Sequence, residues 1–312
     1  GGNPQTVHYL HNDLNAGVSA YESTSLWCGN VTTLGFDWQH FGGDAYTRSI
    51  ATGEHVTDYV DTTEDELAGY IDIRQDLASW LTLDAGLRVD HHSQAGTELV
   101  PQGGLAFRLP HQVELKALVS KGFRNPTTKD LYLYGIANHD SLYAERMMNY
   151  ELAWKQRLLG GQLSYGINLF IIDSDNIIQT VAGKNMNSGE FRNSGVEVEA
   201  AYRINRHWSV NTNHSFLHMR QKLIAAPTYK AFLGADFHSG RWTADAGLQY
   251  ISHLYTATGA NEQTESFTLL NLALRHALHK NIALWLRGEN LLAQRYELNL
   301  GYPMPKATIM GG

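Results

Sequence analysis

Along most of this chain apolar and polar residues alternate with a period of two, the spacing that puts successive side chains on opposite faces of a β-strand. Leu81, Leu83, Ala85, Leu87 and Val89 interleave with Thr82, Asp84, Gly86, Arg88 and Asp90. Val196, Val198, Ala200 and Tyr202 interleave with Glu197, Glu199, Ala201 and Arg203, and Trp242, Ala244, Ala246, Leu248 and Tyr250 interleave with Thr243, Asp245, Gly247 and Gln249. Similar runs between Val7 and Asn290 bring the reading to about fourteen strands of about ten residues, long enough to cross a bilayer at a tilt. Helical periodicity is nearly absent, so the predicted class is all-β.

The joining segments alternate in length along almost the whole chain, with one outlier, Ser93 to Leu99, long only by comparison. Short ones fall at Ala78 to Trp80, Pro110 to Gln112, Leu158 to Gly161, Asn205 to His207, Ser239 to Arg241 and Leu278 to Asn281. Long ones fall at Gly43 to Thr63, Gly122 to Met148, Asp173 to Asn193, Met219 to Thr228, His253 to Ser266 and Gln294 to Pro305. An up-and-down antiparallel transmembrane β-barrel predicts this rhythm, with tight turns on the periplasmic side and larger loops outside. Tryptophan placement gives a separate signal. Trp27, Trp80, Trp154, Trp208, Trp242 and Trp285 lie at or near the short-turn ends, and Trp38 does not. Such a band is expected where an apolar ring with one polar N–H meets a membrane–water interface.

Composition narrows the alternatives. With 312 residues, 43% of them hydrophobic and 18% charged, the chain is too apolar to be disordered. A formal net charge of -7 offers no cationic field for a polyanion, so no nucleic-acid partner is expected. Cys28 is the single cysteine and cannot form an internal disulfide. No apolar run reaches the length of a transmembrane helix, which leaves barrel strands as the way to cross a membrane.

The segment Gly122-Phe123-Arg124-Asn125-Pro126-Thr127, with Leu131, Leu142, Glu145 and then Asn149-Tyr150-Glu151-Leu152, resembles the mid-barrel region of TonB-dependent outer-membrane receptors. Three further stretches match that family in order. They are Gly86-Leu87-Arg88-Val89-Asp90 followed by Pro101-Gln102-Gly103-Gly104-Leu105; Asn193-Ser194-Gly195-Val196-Glu197-Val198-Glu199; and Glu289-Asn290-Leu291-Leu292 with Tyr296 and Gly301-Tyr302-Pro303. Each motif alone is weak, and Asn-Ser-Gly reads simply as a turn. The resemblance implies a barrel of about 22 strands with an N-terminal plug in its lumen and import driven by the inner-membrane TonB complex. The chain opens at Gly1-Gly2-Asn3, with no plug-like region or TonB box ahead of the first strand, and ends at Thr308-Ile309-Met310-Gly311-Gly312. Residues 1–312 are therefore expected to be a partial barrel, about 14 of 22 strands, lacking the plug and the terminal strand.

Charged residues on the polar side of these strands cannot face lipid cheaply, so the lumen is expected to be wet or plug-filled. On the family reading Arg88, Asp90, Glu197, Glu199 and Arg203 face the plug. Fifteen His is generous for this length, and His91, His92 and His139 fall in expected extracellular loops. The resemblance places His139 roughly where haem-transporting members carry a ligand histidine. Tyr132, Tyr134 and Tyr143 beside it would equally suit an aromatic siderophore, so these six residues are the candidate ligand contacts.

Glu197 and Glu199 share a face like a glycosidase dyad in outline, yet nothing else points to a sugar site. Asp173-Ser174-Asp175-Asn176 begins like a calcium loop, but Ile178 stands where its sharp-turn Gly is needed. No nucleophile elbow, phosphate-binding loop or His-Glu-x-x-His pattern occurs, so no enzyme, cofactor or metal site is expected.

The expected function is active import of a scarce ligand, an iron chelate (ferric siderophore), haem or cobalamin, across the bacterial outer membrane, in contact with outer-membrane lipid and with the TonB complex through the plug. A passive porin or outer-membrane barrel enzyme is the first alternative. A soluble β-propeller or sandwich is the second.

Overall fold

The computed structural model describes residues 6–132, 142–181 and 184–312. Its strands are β1 (Val7–Thr24), β2 (Asn30–Ser49), β3 (His55–Ala78), β4 (Leu81–His92), β5 (Gly96–Leu109), β6 (Val113–Arg124), β7 (Glu145–Leu158) and β8 (Leu163–Val181). They continue as β9 (Lys184–Arg203), β10 (Trp208–Met219), β11 (Pro227–Ser239), β12 (Trp242–Ala257), β13 (Gln263–His279), β14 (Ile282–Glu289) and β15 (Thr308–Gly311). One short helix, α1 (Thr128–Tyr132), follows β6. All fifteen strands are hydrogen-bonded to their sequence neighbours in the order β1 to β15, and among the described residues nothing joins β1 to β15. This is the up-and-down antiparallel strand order of a barrel sheet.

Fifteen strands replace the expected fourteen because Thr308–Gly311 pairs with β14 from Leu286 to Glu289. A second difference lies in strand length. The segments read as long loops at Gly43 to Thr63 and Asp173 to Asn193 are largely strand: β2 and β3 are paired as far as Arg48↔His55, and β8 and β9 run to Val181 and from Lys184. Residues such as Thr57, Asp58, Asp61 and Thr62 are polar on both faces, so their alternation is invisible although the backbone ladder continues. For the same reason the segment from Asp173 that begins like a calcium loop lies within β8, and Asn193-Ser194-Gly195 lies within β9, not at a turn.

By internal packing the chain forms two compact units. The first comprises 1–105, 118–150 and 173–191; the second comprises 106–117, 151–172 and 192–312.

In the first unit, cross-strand register puts Asp37, Ala68 and Asp90 on one face of β2 to β4, and Trp38, Leu67 and His91 on the other. Tyr70 lies on the polar face with its ring over Gly35, where a Cβ would meet the ring at 2.0 Å, so only glycine fits beneath it.

In the second unit the same alternation separates Ser209, Asn211, Asp236, Asp245 and Asn271 from Trp208, Ala235, Phe237, Leu248 and Leu272.

Burial is inverted relative to a soluble protein. Glu64, Asp90 and His92 are buried, whereas Leu87, Val89, Leu233, Leu248, Leu272, Leu274 and Leu286 are exposed at 40% to 54%. A sandwich or propeller would cover those leucines with a second layer. Within each unit they have none, so the apolar face needs a non-aqueous solvent.

Four tryptophans sit as expected. Trp27 and Trp80 lie in short turns of the first unit, and Trp208 and Trp242 open strands of the second. Trp285 departs from the band, since it pairs with Arg275 on the opposite face from Trp242.

Candidate functional site

The polar face of the first unit is organised around Arg88. Its guanidinium reaches Asp37 and, through Nη2 and Nε at 2.9 and 3.2 Å, Asp90 Oδ2. The Ser19 hydroxyl donates to Asp37 at 2.6 Å, and the Arg88 guanidinium lies 5.7 Å from the centre of the Tyr70 ring. Asp90 is 1% exposed. Both residues are thus tied into the wall itself. A cavity of about 410 Å3 opens over Asn15, Ser19, Asp37, Gln39, Glu66 and Arg88.

The His91-His92 pair was expected in a loop. It instead ends β4, so its two side chains point to opposite faces. His91 Nδ1 lies 2.9 Å from the Thr97 hydroxyl. His92 Nδ1 accepts the backbone N–H groups of Gln94 and Ala95, both at 3.1 Å, which pins the β4–β5 turn. That leaves the ring proton on Nε2, 3.2 Å from Glu64 Oε2, with both side chains almost wholly buried. The His92 ring also lines a cavity of about 430 Å3 with Phe41, Glu66, Phe123, Asn125 and Pro126.

The end of β6 leads into a rim held by three charged groups. Thr127 and Asp130 form a reciprocal capping box at the start of α1. The Thr127 N–H and hydroxyl donate to Asp130 Oδ2 at 3.0 and 2.8 Å, and the Asp130 N–H donates to Thr127 Oγ1 at 3.1 Å. Pro126 before this cap cannot continue the β6 ladder, which explains where the strand stops.

Arg124 forks onto Glu145 through Nε and Nη2, both at 2.7 Å, and its Nη1 donates to Asp130 at 3.1 Å. Glu145 also accepts the Ile178 N–H at 2.9 Å, and Asn185 donates to the Asp130 carbonyl at 2.9 Å. Leu131, Leu142 and Ala144, next in sequence to these groups, are each no more than 2% exposed.

Burial disfavours ionisation of both carboxyls. The hydrogen bonds to Asp130 from Thr127 and Arg124, and to Glu145 from Arg124 and Ile178, outweigh it and hold both below the usual carboxylate range. The same bonds, against the opposing effect of burial, raise the Arg124 guanidinium. A parallel node joins Glu98 to Lys121 at 2.7 Å and to Arg146 in a fork at 2.7 and 3.0 Å.

Of the expected ligand contacts, Tyr132 closes α1 half-buried. Tyr143 is 59% exposed, while its backbone is clamped by Asn187, which accepts its N–H at 2.8 Å and donates to its carbonyl at 2.9 Å. Tyr134 and His139 lie outside the described residues. Asp130, Asn185, Asn187 and Glu98 were not anticipated; Thr-x-x-Asp after a proline is a legible cap signal, but isolated Asn and Glu residues carry no comparable pattern.

In the second unit Glu197, Glu199 and Arg203 are exposed on the polar face of β9. Lys155 approaches Glu199 at 3.1 Å and Lys116 approaches Glu114 at 2.8 Å. These residues line a hollow of about 450 Å3 together with Asn168 and Asn213.

The TonB-dependent receptor-like β-barrel family matches residues 2–291. The chain belongs to that family. Members are bacterial outer-membrane β-barrel proteins, so lipid is the solvent of this barrel's apolar face. The vitamin B12 transporter BtuB of Photobacterium profundum is 22% identical over 258 residues, covering 77% of this chain and 41% of that protein.

Among solved structures, the copper transporter OprC superposes with a TM-score of 0.80 at 15% identity, over 98% of this chain and 56% of that one. The ferric enterobactin receptor PfeA of Pseudomonas aeruginosa superposes at 0.79 and 17% identity, over 96% and 54%. These superpositions show the fold. The receptor barrel described here spans about half the length of these proteins.

Proposed function

We propose that the complete receptor imports a scarce ligand of the ferric siderophore, haem or cobalamin class across the outer membrane, using energy delivered by the inner-membrane TonB complex. Membership of the TonB-dependent family over residues 2–291 carries this reading. Relatives named as transporters of vitamin B12 and copper and as a receptor for ferric enterobactin support it.

In this account the locked rim at Arg124, Asp130 and Glu145 is a scaffold. It holds Tyr132 and Tyr143 at the mouth, with His91 at the head of β4; Tyr134 and His139 join them as candidates on the family resemblance, and the buried His92 supports the β4–β5 turn beneath. These aromatic and imidazole groups gather ligand through several weak contacts, without a covalent step. Arg88, Asp90, Glu197, Glu199 and Arg203 present charge to a plug. Arg88 and Asp90 act as a rigid wall, because Arg88 is held between Asp37 and the buried Asp90, and the exposed Glu197, Glu199 and Arg203 make exchangeable contacts that can break when the plug is remodelled.

Deleting the gene and measuring growth on single sources of siderophore-bound iron, haem or cobalamin tests the proposal. Loss of uptake of one class, restored by the gene and abolished when TonB is removed, is expected. Undiminished uptake of all three overturns it, and TonB-independent conductance of small solutes points to a passive porin.

A further inference from the structure

Three short turns of the second unit carry charge of one sign. Arg206, Arg241 and Lys280 are exposed in the turns at 204–207, 240–241 and 280–281, and no Asp or Glu occurs in any of these turns. Arg241 Nη1 reaches only the Leu278 carbonyl at 3.3 Å, and Arg206 Nε only the His207 ring at 2.8 Å. Among the described residues none of the three cations forms an ion pair.

Next along the strands, Trp242 packs on His276 with ring centres 4.0 Å apart. Beyond that pair the lipid-facing surface dips into a groove of about 410 Å3. Its floor is the register row Ala235↔Ala246↔Leu272↔Gly288, joined by Ala244, and Trp208 and Leu286 stand up at its sides. A trough with Ala235, Ala244, Ala246 and Gly288 at its base offers a saturated chain more contact than a flat wall does.

We propose that this groove and the cationic turns together bind one anionic glycerophospholipid of the periplasmic leaflet. An acyl chain lies in the groove and the phosphate among Arg206, Arg241 and Lys280. Charge decides the occupant. Lipid tails are equally apolar in every phospholipid, so the groove alone selects none, whereas each cation near an anionic headgroup contributes about fivefold in preference. A second copy docked on the same face about a two-fold axis would set like turns against like, bringing cations together with no carboxylate to offset them.

The test uses the full-length receptor in nanodiscs of mixed phosphatidylglycerol and phosphatidylethanolamine, released into native mass spectrometry, with folding checked by heat-modifiable gel mobility. The wild type is expected to retain one phosphatidylglycerol about a hundredfold in preference to phosphatidylethanolamine. The turn variant Arg241→Gln with Lys280→Gln should lower that preference about 25-fold, leaving the small remainder due to Arg206, while still holding either lipid weakly. Ala246→Phe, which fills the groove, should reduce retention of both. Equal retention of the two lipids by the wild type overturns the proposal, as does an unchanged preference in the turn variant. A lipid-free dimer that Ala246→Phe dissociates also overturns it, by giving the groove to a second copy.

Discussion

Glu145 in the first unit and Glu199 in the second are both glutamates paired with a cation, and the pairs differ in everything that sets their strength. Glu145 is 19% exposed in its side chain, takes both prongs of Arg124 and adds a backbone N–H from β8. Glu199 is 60% exposed and takes a single contact from Lys155, itself 51% exposed. A bidentate, partly desolvated pair with its remaining lone pairs occupied fixes geometry. An exposed single contact is worth little and is easily exchanged for another partner. The comparison separates charges that build the barrel from charges the barrel leaves available.

The sharpest way to break this contrast is at the most enclosed member of the first unit. His92→Leu removes the acceptor of two turn N–H groups and strands the fully buried Glu64 carboxylate. A loss of about 2–4 kcal/mol is expected in urea unfolding of the folded receptor in lipid vesicles, chiefly from the two N–H groups left without an acceptor. A loss below about 1 kcal/mol would mean that these N–H groups find another acceptor.

Glu145→Ala should cost less, about 1–2 kcal/mol, because water can reach the half-exposed Arg124 it abandons. Hydrogen exchange should show it locally, as lost protection at Ile178 and in the β8–β9 hairpin with β11 to β13 unchanged.

Acid should reproduce that local opening. Asp130 and Glu145 have folded-state pKa values below their unfolded ones, so their contribution is complete above the unfolded values and is lost as pH falls through the lowered folded ones. Exchange at Ile178 should therefore accelerate only below about pH 4, the ordinary carboxylate range. Glu145→Gln should remove most of this dependence.

Glu199→Ala is the smallest change in stability, within about 0.5 kcal/mol. Uptake by the complete receptor should nevertheless fall, since on the proposed function this carboxylate faces the plug. Equal uptake by Glu199→Ala and wild type would return Glu199 to plain solvation.

How far the sequence could be read depends on what each segment meets. Inside the bilayer one face meets lipid and the other does not, so Leu81 to Asp90 and Trp242 to Tyr250 announce their strands. Above it both faces meet water, and β2, β3, β8 and β9 run on through polar residues that look like loop. The rim was only partly legible for a related reason. Thr127 to Asp130 is a local device and follows from four residues, whereas Arg124 with Glu145, Arg146 with Glu98 and Tyr143 with Asn187 are long-range pairings that only the sheet register brings together. The His91-His92 doublet suggested a loop through its polarity, and its alternate burial marks it as strand.

The account rests on lipid meeting the apolar face. Single spin labels in a Cys28→Ser background, at Leu233, Leu248 and Leu272 against Asn211, Gln249 and Asn271, test this in the reconstituted full-length receptor. High oxygen and low aqueous nickel accessibility at the three leucine positions, with the leucine set clearly more lipid-accessible than the asparagine and glutamine set, is the predicted result. Leucine positions shielded from oxygen and nickel alike would place a second protein layer over that face and contradict the account.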